Sequence, residues 1–274
     1  MKNKNEIKLY QQLIDCLSRG FNMLGDDAKA EIKNFVINKQ HPSGLFLDRA
    51  NNSDVYYSFF GAMLSLTINN TKGLNQLKSY LLSASNMPKP TIDALVYILL
   101  KIILEMPTKI STIKIVKQVF YSDKTINLYY RIFIAALILE AKGKANILLK
   151  LFFRLLLRLK KTKDLPCSIL AAVIISKHYM NLSIDKEQKS LMLLYQQNGG
   201  FRAFKQAPQT DMLSTAVSLF ALNNIGFDFS LIKPDCLGFI EDNYSQGAFL
   251  SADGDKTLDL EYTFYGLLAL GSLK

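Results

Sequence analysis

Residues 43–66 carry the pattern on which the fold turns: Ser43-Gly44-Leu45-Phe46, a polar loop ending at Asp54, then Tyr56-Tyr57-Ser58-Phe59-Phe60 and an apolar run to Leu66. The same order returns as Gly199-Gly200-Phe201, Asp211, Ser214-Thr215-Ala216 and on to Leu222. It returns again as Gly247-Ala248-Phe249, Asp259, Tyr262-Thr263-Phe264-Tyr265 and on to Leu270. Self-similarity of this kind marks a repeat architecture. The glycine permits a turn at positive φ, the phenylalanine anchors the loop on the helix layer, and the aspartate starts the next helix as cap or first-turn acid.

Weaker copies keep the helix start without the Gly-Phe turn, at Pro90-Thr91-Ile92-Asp93, Asp123-Lys124-Thr125-Ile126-Asn127 and Asp164-Leu165-Pro166. Taking Asp54, Asp93, Asn127, Pro166, Asp211 and Asp259 as starts gives intervals of 39, 34, 39, 45 and 48 residues, room for two helices each. The intervening helices are expected over 74–83, 111–121, 146–160, 186–196 and 234–243, with 8–24 and 26–38 as a further pair at the N-terminus. The helices opened by the six starts carry almost no charge after the first turn and read as an inner layer. Those with Lys78, Lys114 and Lys117 read as an outer layer with one wet face. No stretch alternates with a period of two, so strands are expected to be nearly absent. The expectation is an all-α chain, residues 1–274 as one domain of about twelve helices closed into a ring.

Composition agrees with a folded chain. At 274 residues and 49% hydrophobic it can bury a large core, and no linker rich in Pro, Gly or Ser divides it. Cys16, Cys167 and Cys236 are odd in number and widely spaced, against a disulfide framework or a CxxC metal clip. The charged N-terminus lacks the apolar core of a secretory signal, so a cytoplasmic location is expected. The greasiest stretches are interrupted by Asp93, Lys101, Lys150, Arg154 and Arg158 before reaching the roughly 18 residues a membrane span needs. A net charge of +10 suits an anionic partner without choosing among phosphates, nucleic acid and a membrane surface.

The repeat residues resemble the prenyltransferase and squalene-cyclase repeat family, whose members share an (α/α)6 toroid. In zinc-dependent protein prenyltransferase β subunits one block reads roughly Gly-Gly-Phe, a basic loop, and Asp-x-Cys-Tyr-Ser-Phe-Trp. Gly44-Leu45-Phe46 followed by Asp54-Val55-Tyr56-Tyr57-Ser58-Phe59-Phe60 is similar. A later block, Asp-x-Tyr-His-Thr-x-Tyr, is similar to Asp259-Leu260-Glu261-Tyr262-Thr263-Phe264-Tyr265. The departures matter: Tyr56 stands at the family's zinc-binding Cys and Tyr262 at its His. One carboxylate, Asp54, does not make a site that wants three protein ligands, and His41 and His178 lie outside both motifs. No zinc and no other cofactor is expected. The class II cyclases of the family protonate an alkene through Asp-x-Asp-Asp-Thr-Ala. Asp211-Met212-Leu213-Ser214-Thr215-Ala216 resembles that motif with Leu213 where the proton donor would stand, so the acid is missing.

What the resemblance leaves is binding of an isoprenoid diphosphate or another long apolar molecule in a central cavity. It implies Asp54, Asp211 and Asp259 as candidate catalytic residues and Arg49, Tyr56, Tyr57, Lys205, Tyr262 and Tyr265 as candidate ligand-binding ones. Tyr57 falls where a family tyrosine touches the diphosphate, and Arg49, Lys205 and Lys256 precede the block aspartates, Arg49 one residue out of the family register. The inner helices offer further aromatics, Phe59, Phe60, Tyr97, Tyr129, Tyr130, Phe133, Phe220 and Phe264. Aromatics at helical spacing also serve as plain core packing, and the aspartates as plain caps. The alternative is therefore a noncatalytic toroid, a binding or scaffold subunit.

Residues 147–161 place Lys150, Arg154 and Arg158 at steps of four on an otherwise apolar helix. Three readings stand: an outer helix on an extra neighbour, a peripheral element on the inner membrane with snorkelling cations, or a partner-protein interface. Nucleic acid is not expected as a partner, because the cations sit among leucines and form no Arg-rich or RNP-like motif.

Overall fold

The computed structural model describes residues 9–83, 92–107, 111, 115, 134–135, 137–140 and 165–273. Ten complete helices lie among them: α1 (Leu9–Met23), α2 (Asp26–Asn38), α3 (Val55–Thr67), α4 (Thr71–Ser83), α5 (Ile92–Ile103), α6 (Cys167–Tyr179), α7 (Asp185–Met192), α8 (Met212–Asn224), α9 (Lys233–Asp242) and α10 (Leu260–Ser272). The residues described between 134 and 140 are helical as well. The chain is all-α. The expected helices over 111–121 and 146–160, the start at Asn127 and the basic stretch 147–161 lie, but for Ser111 and Ile115, outside the described residues.

The polar loops of the first two blocks, and the Gly247 turn of the third, are closed by two-stranded antiparallel ribbons, which the sequence pattern did not foretell. β1 (Phe46–Leu47) pairs with β2 (Ser53–Asp54), β3 (Phe201–Arg202) with β4 (Thr210–Asp211), and β5 (Tyr244–Ser245) with β6 (Ala248–Phe249). Each ribbon is locked to its helix by one hydroxyl four residues after the block aspartate. Ser58 accepts the Phe46 N–H at 2.9 Å and donates to the Asp54 carbonyl at 2.6 Å. Thr215 does the same for Phe201 and Asp211, and Thr263 for Phe249 and Asp259. The three phenylalanines are sealed in the core. Phe46 and Phe249 lie flat against Gly61 and Gly266, where any Cβ would collide with the ring.

The turn glycines bring the ribbons onto helix backbones. Gly199, at φ +84°, abuts Asp235 and Cys236 of α9 so closely that no side chain fits. Gly44 meets α4 in the same way, and Gly247 meets α2 at Glu31. The last ribbon thus rests on a helix from the beginning of the chain.

Burial separates two kinds of helix. In α10 every residue from Thr263 to Ser272 is buried, and α8 hides Ser214, Thr215 and Ser218 along with its apolar residues. By contrast α4 buries Gly73, Leu77 and Leu81, one stripe at helical spacing, and α7 buries Glu187 and Leu191. Buried Glu187 is paired with Lys177 of α6 at 2.7 Å. α10 packs on α8, α3 and α1, α8 on α6, and α3 on α5, so the last long helix lies against the first block as well as the one before it. One continuous core joins residues from all ten helices and from 134–139.

Helix α1 runs across the C-terminal end of this layer. Its first described N–H, of Leu9, donates to Glu140 Oε2 at 3.0 Å, and Cys16 Sγ donates to the Leu268 carbonyl at 3.4 Å near the end of α10. Gly20 and Gly271 allow the two backbones to touch: a Cβ on either would collide with a carbonyl of the other helix.

Candidate functional site

Between the helices lies a cavity of about 370 Å³, within the range of small-molecule sites. It is walled by Phe60 of α3, Leu99 of α5, Leu137, Ile175 of α6, Val217 of α8 and Leu268 of α10, and α1 adds Leu13. Seven helical segments contribute to it, and apart from Ser168 and the hydroxyls of Tyr56 and Tyr265 the wall is apolar. Of the aromatics expected there, Tyr56, Phe59, Phe60, Phe220, Phe264 and Tyr265 line it. Tyr97 turns to α4 instead, its hydroxyl donating to the Leu81 carbonyl at 3.4 Å. Tyr129, Tyr130 and Phe133 lie outside the described residues. Leu213, where the resemblance would put a cyclase proton donor, lines the cavity with an apolar side chain.

The first turns of α3, α8 and α10 form the end opposite α1. Here each block aspartate accepts a backbone N–H three residues on at 2.7 Å: Asp54 from Tyr57, Asp211 from Ser214 and Asp259 from Tyr262. Such caps contribute on the order of 1 kcal/mol each. Asp211 stands by α8, with its carboxyl pushed above the ordinary range by burial and, among lesser causes, by the charge of Asp253. Lys205 is exposed on the β3–β4 loop.

Blocks one and three do come together. Arg49, on the β1–β2 loop, donates from Nε to Asp259 Oδ2 at 2.6 Å and from Nη1 to Asp255 Oδ2 at 3.1 Å, and its guanidinium lies over the Tyr262 ring at 4.9 Å. Burial opposes its charge, but Asp259 and the tyrosines hold it firmly protonated. Asp259, 1% exposed, is pushed up by burial and held down by the Tyr262 N–H and by Arg49. Tyr56 donates to Glu261 Oε1 at 2.9 Å. Burial, together with the charges of Asp259 and Glu261, drives the Tyr57 hydroxyl well above the ordinary tyrosine range. The cluster thus unites Arg49, Tyr56, Tyr57, Asp259 and Tyr262, with Tyr265 one turn below, its ring 6.3 Å from that of Tyr262.

Glu261 was not singled out from the sequence, and Asp255 was weighed there only within the loop Asp253-Gly254-Asp255. An acid in a first helical turn reads as dipole compensation, and Asp255 reads as part of a polar turn. The hydroxyl four residues after each aspartate was visible in the pattern as Ser58, Thr215 and Thr263. Leu13 had no signal, because nothing local tells that α1 crosses the cavity.

Burial pushes the Glu261 carboxyl above the ordinary carboxylate range, against the hydrogen bond from Tyr56 and with Asp259 adding to the rise. The folded state therefore binds this proton more tightly than the unfolded chain. The burial cost is absent at pH below the unfolded value and grows as pH rises through the folded one. Glu261→Gln, which keeps an acceptor for Tyr56, is expected to match the parent in thermal melts at acid pH and to gain on it as pH rises to neutrality. A gap that narrows with rising pH would contradict this.

Among the described residues, no three His, Cys, Asp or Glu side chains are grouped so as to hold a metal ion, and no helix is long and apolar enough to cross a membrane. The chain matches no protein-family model, no curated protein and no solved structure.

Proposed function

We propose that the chain is an (α/α)6 toroid that binds an isoprenoid or another long apolar molecule in its axial cavity, holding it without metal or cyclase-acid chemistry. The observation that carries this reading is the cavity itself, apolar and lined from seven helical segments. Closure into a ring is supported by α10 packing against both α8 and α3, and by the third turn glycine resting on α2. The resemblance of the three blocks to prenyltransferase and cyclase repeats suggests the ligand class. The noncatalytic form is favoured by one feature: Asp54, Asp211 and Asp259 are all engaged with backbone N–H groups. A peripheral membrane position through 147–161 fits a protein that takes a lipid-like ligand.

The test is native mass spectrometry of the full chain purified from its host, followed by displacement of a fluorescent apolar probe. Val217→Trp, on the wall but outside the polar cluster, is expected to weaken probe binding on the order of tenfold or more while the helical circular dichroism is retained. Unchanged binding in a folded Val217→Trp protein would place the ligand elsewhere, and turnover of an isoprenoid by pure protein would end the noncatalytic form.

A further inference from the structure

We infer that the cavity takes a ligand whose polar end is an uncharged hydroxyl, and that it rejects phosphate and diphosphate heads; this rests on the reading of the cavity as a site for a long apolar molecule. The end of the cavity formed by the first turns of α3, α8 and α10 is where a polar head would emerge. That rim and its loops carry Asp54, Asp211, Asp253, Asp255, Asp259 and Glu261. Among the described residues the cation in contact with this cluster is Arg49, and two of its nitrogens already hold Asp259 and Asp255 while its face covers Tyr262. Arg202 takes in its ribbon the place that Leu47 has in the first, and its Nε is buried rather than presented at the surface. Lys205 and Lys256 are exposed on the loops.

Helix N-termini are natural anion sites through their free N–H groups and their dipole. Here the three that ring the rim are occupied by the protein's own carboxylates, Asp54, Asp211 and Asp259, at 2.7 Å. A soluble anion would have to displace a tethered one and then sit among further carboxylates, so repulsion adds to competition. A hydroxyl meets neither obstacle. Tyr56 lines the cavity and its hydroxyl reaches Glu261, so an alcohol entering along that wall finds a carboxylate to accept its proton and a phenol oxygen beside it.

The experiment is calorimetric titration of the full chain with a chain-matched pair, farnesol and farnesyl diphosphate. Farnesol is expected to bind more tightly by about tenfold or more, with the gap shrinking as salt is raised. Asp255→Asn releases Arg49 Nη1 without touching a cap, and is expected to narrow the gap by strengthening the diphosphate. Equal or tighter binding of the diphosphate would overturn the inference while leaving the apolar cavity in place. A gap that Asp255→Asn leaves unchanged would overturn its electrostatic cause. Binding of neither compound would remove the reading of the cavity on which it stands.

Discussion

Phe201→Ala is expected to lower the unfolding free energy by about 3–5 kcal/mol, a fall on the order of 10 °C in melting temperature for a chain of this length. Phe201 has no exposed surface, and its N–H is held by Thr215 at 2.9 Å. Its ring is packed in the core beside that of Tyr195, so truncation both opens a void and loosens a loop pinned at Gly199. Phe204, three residues on in the same loop and 49% exposed, is the control: Phe204→Ala is expected to change stability by about 0.5 kcal/mol or less. The reverse perturbation tests the same packing in the third block. Gly266→Ala would drive a methyl group into the Phe249 ring, overpacking that costs about 1–3 kcal/mol. Phe249→Leu in the same chain is expected to recover part of that loss, since the collision lies in the ring. Denaturation of the four proteins forms a double-mutant cycle; additive effects would mean that the two residues are not in contact in solution.

The second large effect is expected at the crossing of α1 and α10. Gly271→Ala raises helix propensity by about 1 kcal/mol, yet the new methyl would collide with the Cys16 carbonyl, a backbone atom that no rotamer change can move. Relief requires α1 to shift, giving up the bonds from Cys16 to the Leu268 carbonyl and to Ser272 and the bond from Arg19 to the Gly271 carbonyl. The net cost is expected to be about 1–3 kcal/mol, and its signature is local. Cys16 should become reactive to a thiol reagent well below the melting temperature, while Cys167 and Cys236, buried away from α1, stay protected. Since Leu13 of α1 lines the cavity, affinity for an apolar probe should fall in parallel. Uniform protection of all three cysteines would show that the crossing tolerates the methyl group.

How far the chain could be read without its structure differs between features. The aspartates at 54, 211 and 259 were legible as helix starts, because a short carboxylate before an apolar run satisfies the free N–H groups of a first turn whatever surrounds it. Each is a cap in the structure. Helix α2 was also read to its limits, though no side chain caps it: Asp26 and Asp27 lie in its first turn, where acids suit the helix dipole. The ribbons were not legible: two residues per strand is too short for a period to show, and their order comes from the Ser or Thr that bridges each phenylalanine to its aspartate. The charge balance of the rim was misleading in sequence. Arg49 and Asp259 stand 210 positions apart, and a basic residue before a helix start looks free until its partner is placed.

The sequence alone determined that this is a helical chain, where its strong repeats begin, and which faces are apolar, because capping and burial of one side of a helix are decided by residues a few places apart. The tertiary structure decided what no local rule contains: that α10 lies between α8 and α3, that α1 crosses the layer to reach Glu140, that these helices leave an apolar cavity, and that the arginine at its rim is neutralised by Asp255 and Asp259. Each of these joins residues far apart in the chain, where long-range packing and electrostatics choose the partner and local propensity is silent.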